Sequence, residues 1–532
     1  MRIWIQVFFA CVFFFPLSAQ KSDKPRLVIG IVVDQMRYDY LNSFQHLFGP
    51  DGFNRLLSKG QVFHEVHYDY IPTFTGPGHA SVYTGTSPAI HGIAANDWYD
   101  RKRGAEVYCT DDDIHMSVGN ATPGKSMSPN NLLVPTVTDM FKSQPGNGKV
   151  LALAIKDRGA ILPGGKKADA AYWFDGKTGN WISSTYYMQQ LPKWVSEFNS
   201  QKRWDAYLSN SWTLSLPEVT YRGVPDKTSF ERPLKGMEKA VFPYDLSKIR
   251  TAYGPGLIAT TPFGNSLTLD FAEEVIRNEQ LGTDDISDFL CISFSSPDYI
   301  GHQFGPHSLE LMDTYARLDR ELATFFKEID QSVGFNNVLV FLTSDHGAAD
   351  IPGFSKAGGF YDMAAFTKRM GDSLLLKYGM NFIRYEANDQ LYLDRPAMKE
   401  KHVSAQQLHT DILRWANEPW FLGAWLPDDN MACDMPAEIC ERIRLGFARG
   451  RSGDLWIIAR PNWISNHYEG GGTTHGSPYV YDTHAPFILA GYGLNPASHR
   501  ERLNITDIAP TVAALLGLPL PSGSIGKPAH VK

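Results

Sequence analysis

The chain has 532 residues, 43% of them hydrophobic, and carries 50 Lys and Arg against 57 Asp and Glu, a formal net charge of −7. The apolar content is enough for a large core. The acidic balance, with no basic run or stripe, excludes a nucleic-acid-binding surface, and no feature of the sequence points to a protein partner.

Residues 1–19 read as a secretory signal peptide. Met1-Arg2 supplies a positive start, Val7 to Pro16 is almost wholly apolar, and small residues lead to a cleavage site near Ala19. The apolar run is too short to span a bilayer comfortably, and Cys11 lies inside it rather than after it, which argues against a lipid anchor. No later stretch reaches transmembrane length. The mature chain is therefore expected to be soluble and exported, to the periplasm or beyond. Among its cysteines, Cys433 and Cys440 flank a short loop and are the expected disulfide pair. Cys291 sits in an apolar run and reads as a small buried hydrophobe. No cysteine has zinc-finger spacing, so any metal must be held by oxygen and nitrogen.

Four apolar runs rich in Val, Ile and Leu have the pattern of strands buried on both faces of a parallel sheet. In chain order, LVIGIVVDQ ends at Asp34, VLALAIKDR at Lys156 and Arg158, FLCISFSSPDYIGH at Asp298 and His302, and VLVFLTSDHG at Asp345 and His346. Amphipathic helices are predicted over 265–279, with Leu267, Phe271 and Val275 on one stripe, and over 308–330, with Met312, Tyr315, Leu318, Leu322 and Phe325. Each precedes a strand, which gives a βαβ rhythm. The expected fold is α/β, one domain over 20–532 with a largely parallel central sheet flanked by helices. Two stretches interrupt the rhythm, about 163–255, with five tryptophans and no sustained period, and about 352–465, with a candidate helix at AQQLHTDILRWA. Both read as insertions capping the site, since functional loops are carried at strand ends.

Ligands of open α/β sheets bind beyond the carboxyl ends of the strands, so four such ends bearing Asp, Asp-x3-His, Asp-His and Lys-x-Arg outline one metal-binding, cationic rim. Asp298 and His302 share a face at i, i+4. Gly347 permits a turn after Asp345-His346. His475, in GGGTTHGSP, is the best third imidazole because glycines allow close backbone approach, with His484 in YDTHAPF as runner-up. Counting ligands gives two metals, one on Asp298, His302 and His475 and the other on Asp34, Asp345 and His346. Carboxylates and imidazoles without sulfur suit zinc, though ligand type leaves manganese and iron open. TFTGPGHAS supplies a nucleophile, Thr75, at a helix start whose amides point at an anion. Asn96 can donate to a phosphoryl oxygen. Lys156 and Arg158, two apart at a strand end, project to one side and add further donors. His64, His67, His79 and His91 read as structural or surface residues.

In this order the residues resemble the alkaline phosphatase superfamily, with an early strand-end Asp, a nucleophile opening a helix, Asp-x3-His, Asp-His-Gly and a late His. The segment DIAPTVAALLGLP at 507–519 is similar to one that recurs there. Within the superfamily, TFTGPGHAS, HGIAANDWYD, AIKDRGAILPGG and GGTTHGSPYVYDTHAP resemble the PafA-type alkaline phosphatases, secreted monoesterases. The resemblance spans residues 27–519 outside the insertions. It implies two Zn2+ per chain, Thr75 as nucleophile beside and bound to the metals, Asn96, Lys156 and Arg158 as phosphate contacts, and hydrolysis of phosphate monoesters through a phosphothreonine. A nucleotide pyrophosphatase/phosphodiesterase of the same superfamily is the alternative. A sulfatase is disfavoured because Thr75-Gly-Pro-Gly-His79 offers neither a formylglycine precursor nor its Arg, and a non-catalytic metal-binding protein because no ligand position is lost.

Overall fold

The computed structural model describes residues 24–120, 125–146, 148–354, 357–429 and 431–531, so the signal-peptide reading of residues 1–19 lies outside the described residues. One large sheet organises the chain. Its strands are β1 (Leu27–Val33), β2 (Gln61–His67), β3 (Asp111–Val118), β4 (Lys125–Met127), β5 (Val150–Ala154), β6 (Ala170–Asp175), β7 (Asn180–Ser184), β8 (Asp288–Phe294), β9 (Val338–Thr343), β10 (His484–Gly491) and β11 (Ala497–Asn504). They lie in the order β11-β2-β10-β9-β1-β8-β5-β6-β7-β3-β4.

The four apolar runs become β1, β5, β8 and β9, and every residue in them is buried. They are neighbours and parallel, β9-β1-β8-β5, with Leu27 opposite both Asp288 and Val338. Their carboxyl ends therefore fall side by side on one edge. Antiparallel β10 separates this parallel core from β2 and β11.

Helices cover both faces. They include α1 (Thr75–Thr84), α2 (Asp157–Gly164), α3 (Phe263–Glu279), α4 (Ser296–Phe304), α5 (Leu309–Ser332) and α6 (Ile508–Leu515). Alternate residues of β1 enter different layers: Ile29 and Ile31 join a core with α3 and α5, while Val28 and Val32 join one with α1, α2 and α6. The period of two along the strand thus feeds two cores. In α5 the expected stripe of Met312, Tyr315, Leu318, Leu322 and Phe325 is buried, and Ser308 Oγ caps the helix by accepting from Leu311 N at 3.2 Å.

The first interruption, 163–255, is not a separate insertion. Its residues 170–175 and 180–184 are β6 and β7 of the central sheet. The chain beyond β7 packs into the same core through Phe198, Leu208, Trp212 and Tyr244. Burial on both faces, here by aromatic residues, erases the alternation that would have marked strands. Asp313 of α5 ties this stretch down, accepting from Trp212 Nε1 at 2.8 Å, Ser215 N at 2.7 Å, Tyr221 OH at 2.7 Å and Arg317 Nε at 2.7 Å. Replacing Asp313 with Ala would take the acceptor from four donors and leave Arg317 without its carboxylate, held by the Thr213 carbonyl at 2.6 Å. The expected cost is about 3–5 kcal/mol, measurable as a lower urea midpoint with an unchanged m-value.

The second interruption has its own four-stranded sheet, in the order Ile383–Ala387, Gln390–Leu393, Leu455–Ala459, Phe421–Trp425. Its core gathers Phe366, Met370, Leu391, Leu408 and Ile412. The helix expected at AQQLHTDILRWA spans Ala405–Trp415, opened by a capping box of Ser404 and Gln407. Cys433 and Cys440 are disulfide-bonded, and Cys291 is buried in β8. Among the described residues no helix is long and apolar enough to cross a membrane.

Candidate active site

Asp34 follows β1, Asp298 and His302 lie one turn apart in α4, Asp345 and His346 follow β9, and His475 stands in the loop before β10. The three imidazoles are anchored alike. Nδ1 faces a backbone carbonyl in each: Thr473 O at 2.7 Å from His302, Gly347 O at 2.9 Å from His346 and Thr73 O at 2.7 Å from His475. A carbonyl only accepts, so each neutral ring carries its proton on Nδ1 and presents a lone pair on Nε2. Burial lowers the pKa of His346 to about 3 and lowers that of His475, which keeps both rings neutral.

His346 Nε2 lies 3.5 Å from both Asp34 Oδ1 and Asp345 Oδ2. Those two carboxylate oxygens are buried and have no hydrogen-bond donor. His302 and His475 bring Nε2 to 3.2 and 3.5 Å from Asp298 Oδ1. Lone pairs facing orphaned anionic oxygens repel one another unless a cation lies among them, so the donor set fits divalent metal ions. Ligand atoms cluster as Asp34/Asp345/His346, which is the expected grouping, and as Asp298/His346/His475. In the second cluster His346 stands where His302 was expected, because its ring stacks on His475 with centroids 3.5 Å apart. His302 keeps its own contact with Asp298, Nε2 to Oδ1 at 3.2 Å.

Thr75 is the first residue of α1, and the N-cap position belongs to Phe74. The Thr75 hydroxyl makes no cap bond. It lies 3.5 Å from His346 Nε2 and 3.4 Å from both Lys156 Nζ and Arg158 Nη2. Lys156 Nζ also sits 2.6 Å from Asp34 Oδ2 and from Asp298 Oδ2. Burial works against its ammonium, but those two carboxylates raise its pKa above the ordinary lysine value, so it is charged.

Several expectations need correction. Lys156 and Arg158 do not extend a strand, because β5 stops at Ala154; Lys156 is the N-cap of α2 and Arg158 lies in its first turn. They converge on Thr75 through the reach of long side chains, not through strand alternation. The amides at the start of α1 are not all free for an anion: Gly76 N–H donates to Asn96 Oδ1 at 2.7 Å, Pro77 has none, and Gly78 N–H donates to Phe74 O at 2.8 Å. With Oδ1 engaged, the NH2 of Asn96 is its remaining donor. Gly347 serves close approach rather than a special turn, since a Cβ there would lie 2.0 Å from Tyr481 O. At Gly472 (φ +83°) a Cβ would lie 2.0 Å from His302 O, the close approach expected of the glycines before His475. His484 is elsewhere, bonded through Nε2 to His64 O at 2.7 Å and stacked between Tyr38 and His67.

Three contributors escape the sequence reading. Gln35, held at φ +64°, donates from Nε2 to Asp298 Oδ1 at 2.7 Å and from its backbone to Asp345 Oδ1 at 3.1 Å. His79, expected to be structural, bonds through Nδ1 to Thr75 O at 2.9 Å and through Nε2 to Ser293 Oγ at 2.9 Å, and lies 3.3 Å from Asp345 Oδ2. It locks α1 to β8 and to Asp345. Tyr108 OH accepts from Arg158 Nη1 at 2.9 Å and donates to Asp157 Oδ1 at 2.6 Å. Tyr108→Phe is expected to cost about three- to tenfold in kcat/KM, the worth of one neutral hydrogen bond. A double-mutant cycle with Arg158→Ala checks that the loss acts through Arg158.

Comparison with known proteins adds three findings. The family described as type I phosphodiesterase / nucleotide pyrophosphatase matches residues 28–480. The alkaline phosphatase PafA of Elizabethkingia meningoseptica is 42% identical over 525 residues, covering 96% of each chain, and a Myroides odoratus protein named calcium-transporting ATPase is 42% identical over 530 residues, covering 97% of this chain and 96% of its own. The crystal structure of wild-type PafA superposes with a TM-score of 0.89 at 41% identity, covering 95% of this chain and 98% of that one. The chain belongs to the type I phosphodiesterase / nucleotide pyrophosphatase family and, within it, to the PafA-like alkaline phosphatases.

Proposed function

We propose that the protein is an exported alkaline phosphatase that hydrolyses phosphate monoesters, with Thr75 as nucleophile and two zinc ions per chain. The observation that carries this reading is the Thr75 hydroxyl, free of local backbone bonds and lying within 3.5 Å of His346, Lys156 and Arg158. Asp34, Asp345 and His346 would hold one ion and Asp298, His302 and His475 the other, with His346 lying between the two groups. Such a pair of cations lowers the pKa of a nearby hydroxyl and neutralises charge on the attacking and leaving oxygens.

Thr75 Oγ, once deprotonated, attacks phosphorus in line; its bond to phosphorus forms as the bond to the alcohol oxygen breaks. Water then cleaves the phosphothreonine, releasing phosphate and restoring the hydroxyl. Lys156 and Arg158 hold non-bridging oxygens by charge-assisted hydrogen bonds, and the Asn96 NH2 adds a neutral donor. Gln35 and His79 fix the carboxylates and the nucleophile helix before substrate arrives, so little is lost to reorganisation. The segment 352–465 borders this edge through Tyr361, Asn388 and Asp389, which line a recess with Phe74 and His475, and we read it as a cap.

The family description also covers diesterases. The cationic pair over Thr75 favours monoesters, because a diester replaces a charged oxygen with a bulkier, less charged group where Lys156 and Arg158 stand. Removing either side chain should lower monoester kcat/KM about ten- to a hundredfold, from ~1.5–3 kcal/mol per charge-assisted contact, and change diester hydrolysis far less. Lys156→Ala, Arg158→Ala and the double variant, assayed on a matched monoester and diester, test the proposal. Equal losses on both substrates would assign the pair to support of the fold or metals and would favour a diesterase.

A further inference from the structure

Beside the nucleophile helix a cleft of about 340 Å3 opens between the catalytic edge and the inserted segment. One wall is Phe74, the residue preceding Thr75, together with Thr474 and His475; the other is Tyr361, Asp362, Glu386, Asn388 and Asp389, with Ser465 and Asn466 at the end. Phe74, Tyr361, Asn388, Asp389, Thr474 and His475 also line a narrower recess of about 70 Å3, which reaches Trp456 and Asp482.

The inserted wall is held rigidly. Asn388 and Asp389, at φ +56° and +58°, form a two-residue turn joining Ile383–Ala387 to Gln390–Leu393. Asn388 Nδ2 donates to Asp97 O at 2.8 Å, next to Asn96, and Asp389 Oδ2 accepts from Tyr361 OH at 2.6 Å. The loop tip is therefore tied to the residue just after a candidate phosphate contact.

Building on the monoesterase reading above, we propose that this cleft receives the alcohol half of the substrate and is built for an uncharged, hydroxyl-rich alcohol of sugar size. Glu386, Asp362, Ser465 and Asn466 present acceptors and donors to hydroxyl groups, and the ring faces of Phe74 and Tyr361 suit the C–H face of a sugar. Among the described residues no Lys or Arg lines the cleft, while three carboxylates do, so a second phosphate or a carboxylate on the alcohol meets like charge. Burial, with Asp389 beside it, raises the pKa of Glu386 to about 7, so the repulsion is fully developed in the alkaline range.

The test is kcat/KM of the full-length zinc-loaded enzyme on glucose 6-phosphate, phenyl phosphate and fructose 1,6-bisphosphate. The wild type should favour glucose 6-phosphate over the bisphosphate by about tenfold or more. Asn466→Ala removes a hydrogen-bonding group from the cleft lining; it should lower the ratio of glucose 6-phosphate to phenyl phosphate about three- to tenfold, mainly through KM. Glu386→Gln removes charge and should narrow the bisphosphate penalty several-fold. Ratios that move less than twofold in both variants, or equal losses on all three esters, would overturn the cleft assignment. A wild-type enzyme that cleaves none of the three but does cleave diesters would instead overturn the monoesterase reading beneath it.

Discussion

Thr75→Ala is expected to lower monoester turnover on the order of 10³-fold or more, while Thr75→Ser retains a substantial part of it. Alanine removes the one oxygen on which His346, Lys156 and Arg158 converge, and leaves the surrounding charges in place. Serine keeps that oxygen at the first position of α1. Because the hydroxyl makes no cap bond to its own helix, neither variant should lose stability through capping, and equal thermal midpoints within a degree or two would show that the rate effect is chemical. An alanine variant with unimpaired turnover would mean that water, or another residue, attacks phosphorus.

Removal of metal should abolish activity altogether. Three buried carboxylates and three imidazole lone pairs meet within a few ångströms, and among the described residues the Lys156 ammonium is the one Lys or Arg cation bonded to those carboxylates. Metal-free protein should therefore be less stable as well as inactive, since binding energy at such a site is also folding energy. Dialysis against a strong chelator, then titration with zinc, should restore activity up to two equivalents per chain and raise the thermal midpoint in parallel. Full activity in a preparation shown by elemental analysis to be metal-free would end the dimetal reading.

The parallel core is legible in the sequence because strands buried on both faces must be continuous apolar runs, and β1, β5, β8 and β9 each carry a polar residue just where the run ends. Their parallel direction fits the βαβ rhythm, but their order does not follow from it, since β1 lies between β8 and β9. The helical i, i+4 pair Asp298 and His302 is legible for the same local reason. Strands β6 and β7 are not, because aromatic residues on both faces hide the alternation. Gln35 is invisible because a left-handed φ at a glutamine is imposed by its neighbours, with Gly301 opposite leaving room for its side chain. His79 reaches Ser293 and Asp345, and Tyr108 reaches Arg158, all far apart in sequence, which no spacing rule reports. Gly76 and Gly78 do carry a signal, a Gly-Pro-Gly after Thr75. The structure explains it as close approach: a Cβ on Gly78 would lie 2.2 Å from Asp345 O.

The claim that Thr75 carries the phosphoryl group is tested most directly by trapping it. Zinc-loaded enzyme mixed with a fast monoester, quenched in acid within a single turnover and digested should yield a phosphopeptide containing residues 73–79, with the phosphate on Thr75 by fragmentation. The same treatment of Thr75→Ser should place it on the serine. Phosphate on any other residue, or no phosphopeptide when the kinetics show a burst of alcohol, would contradict the account.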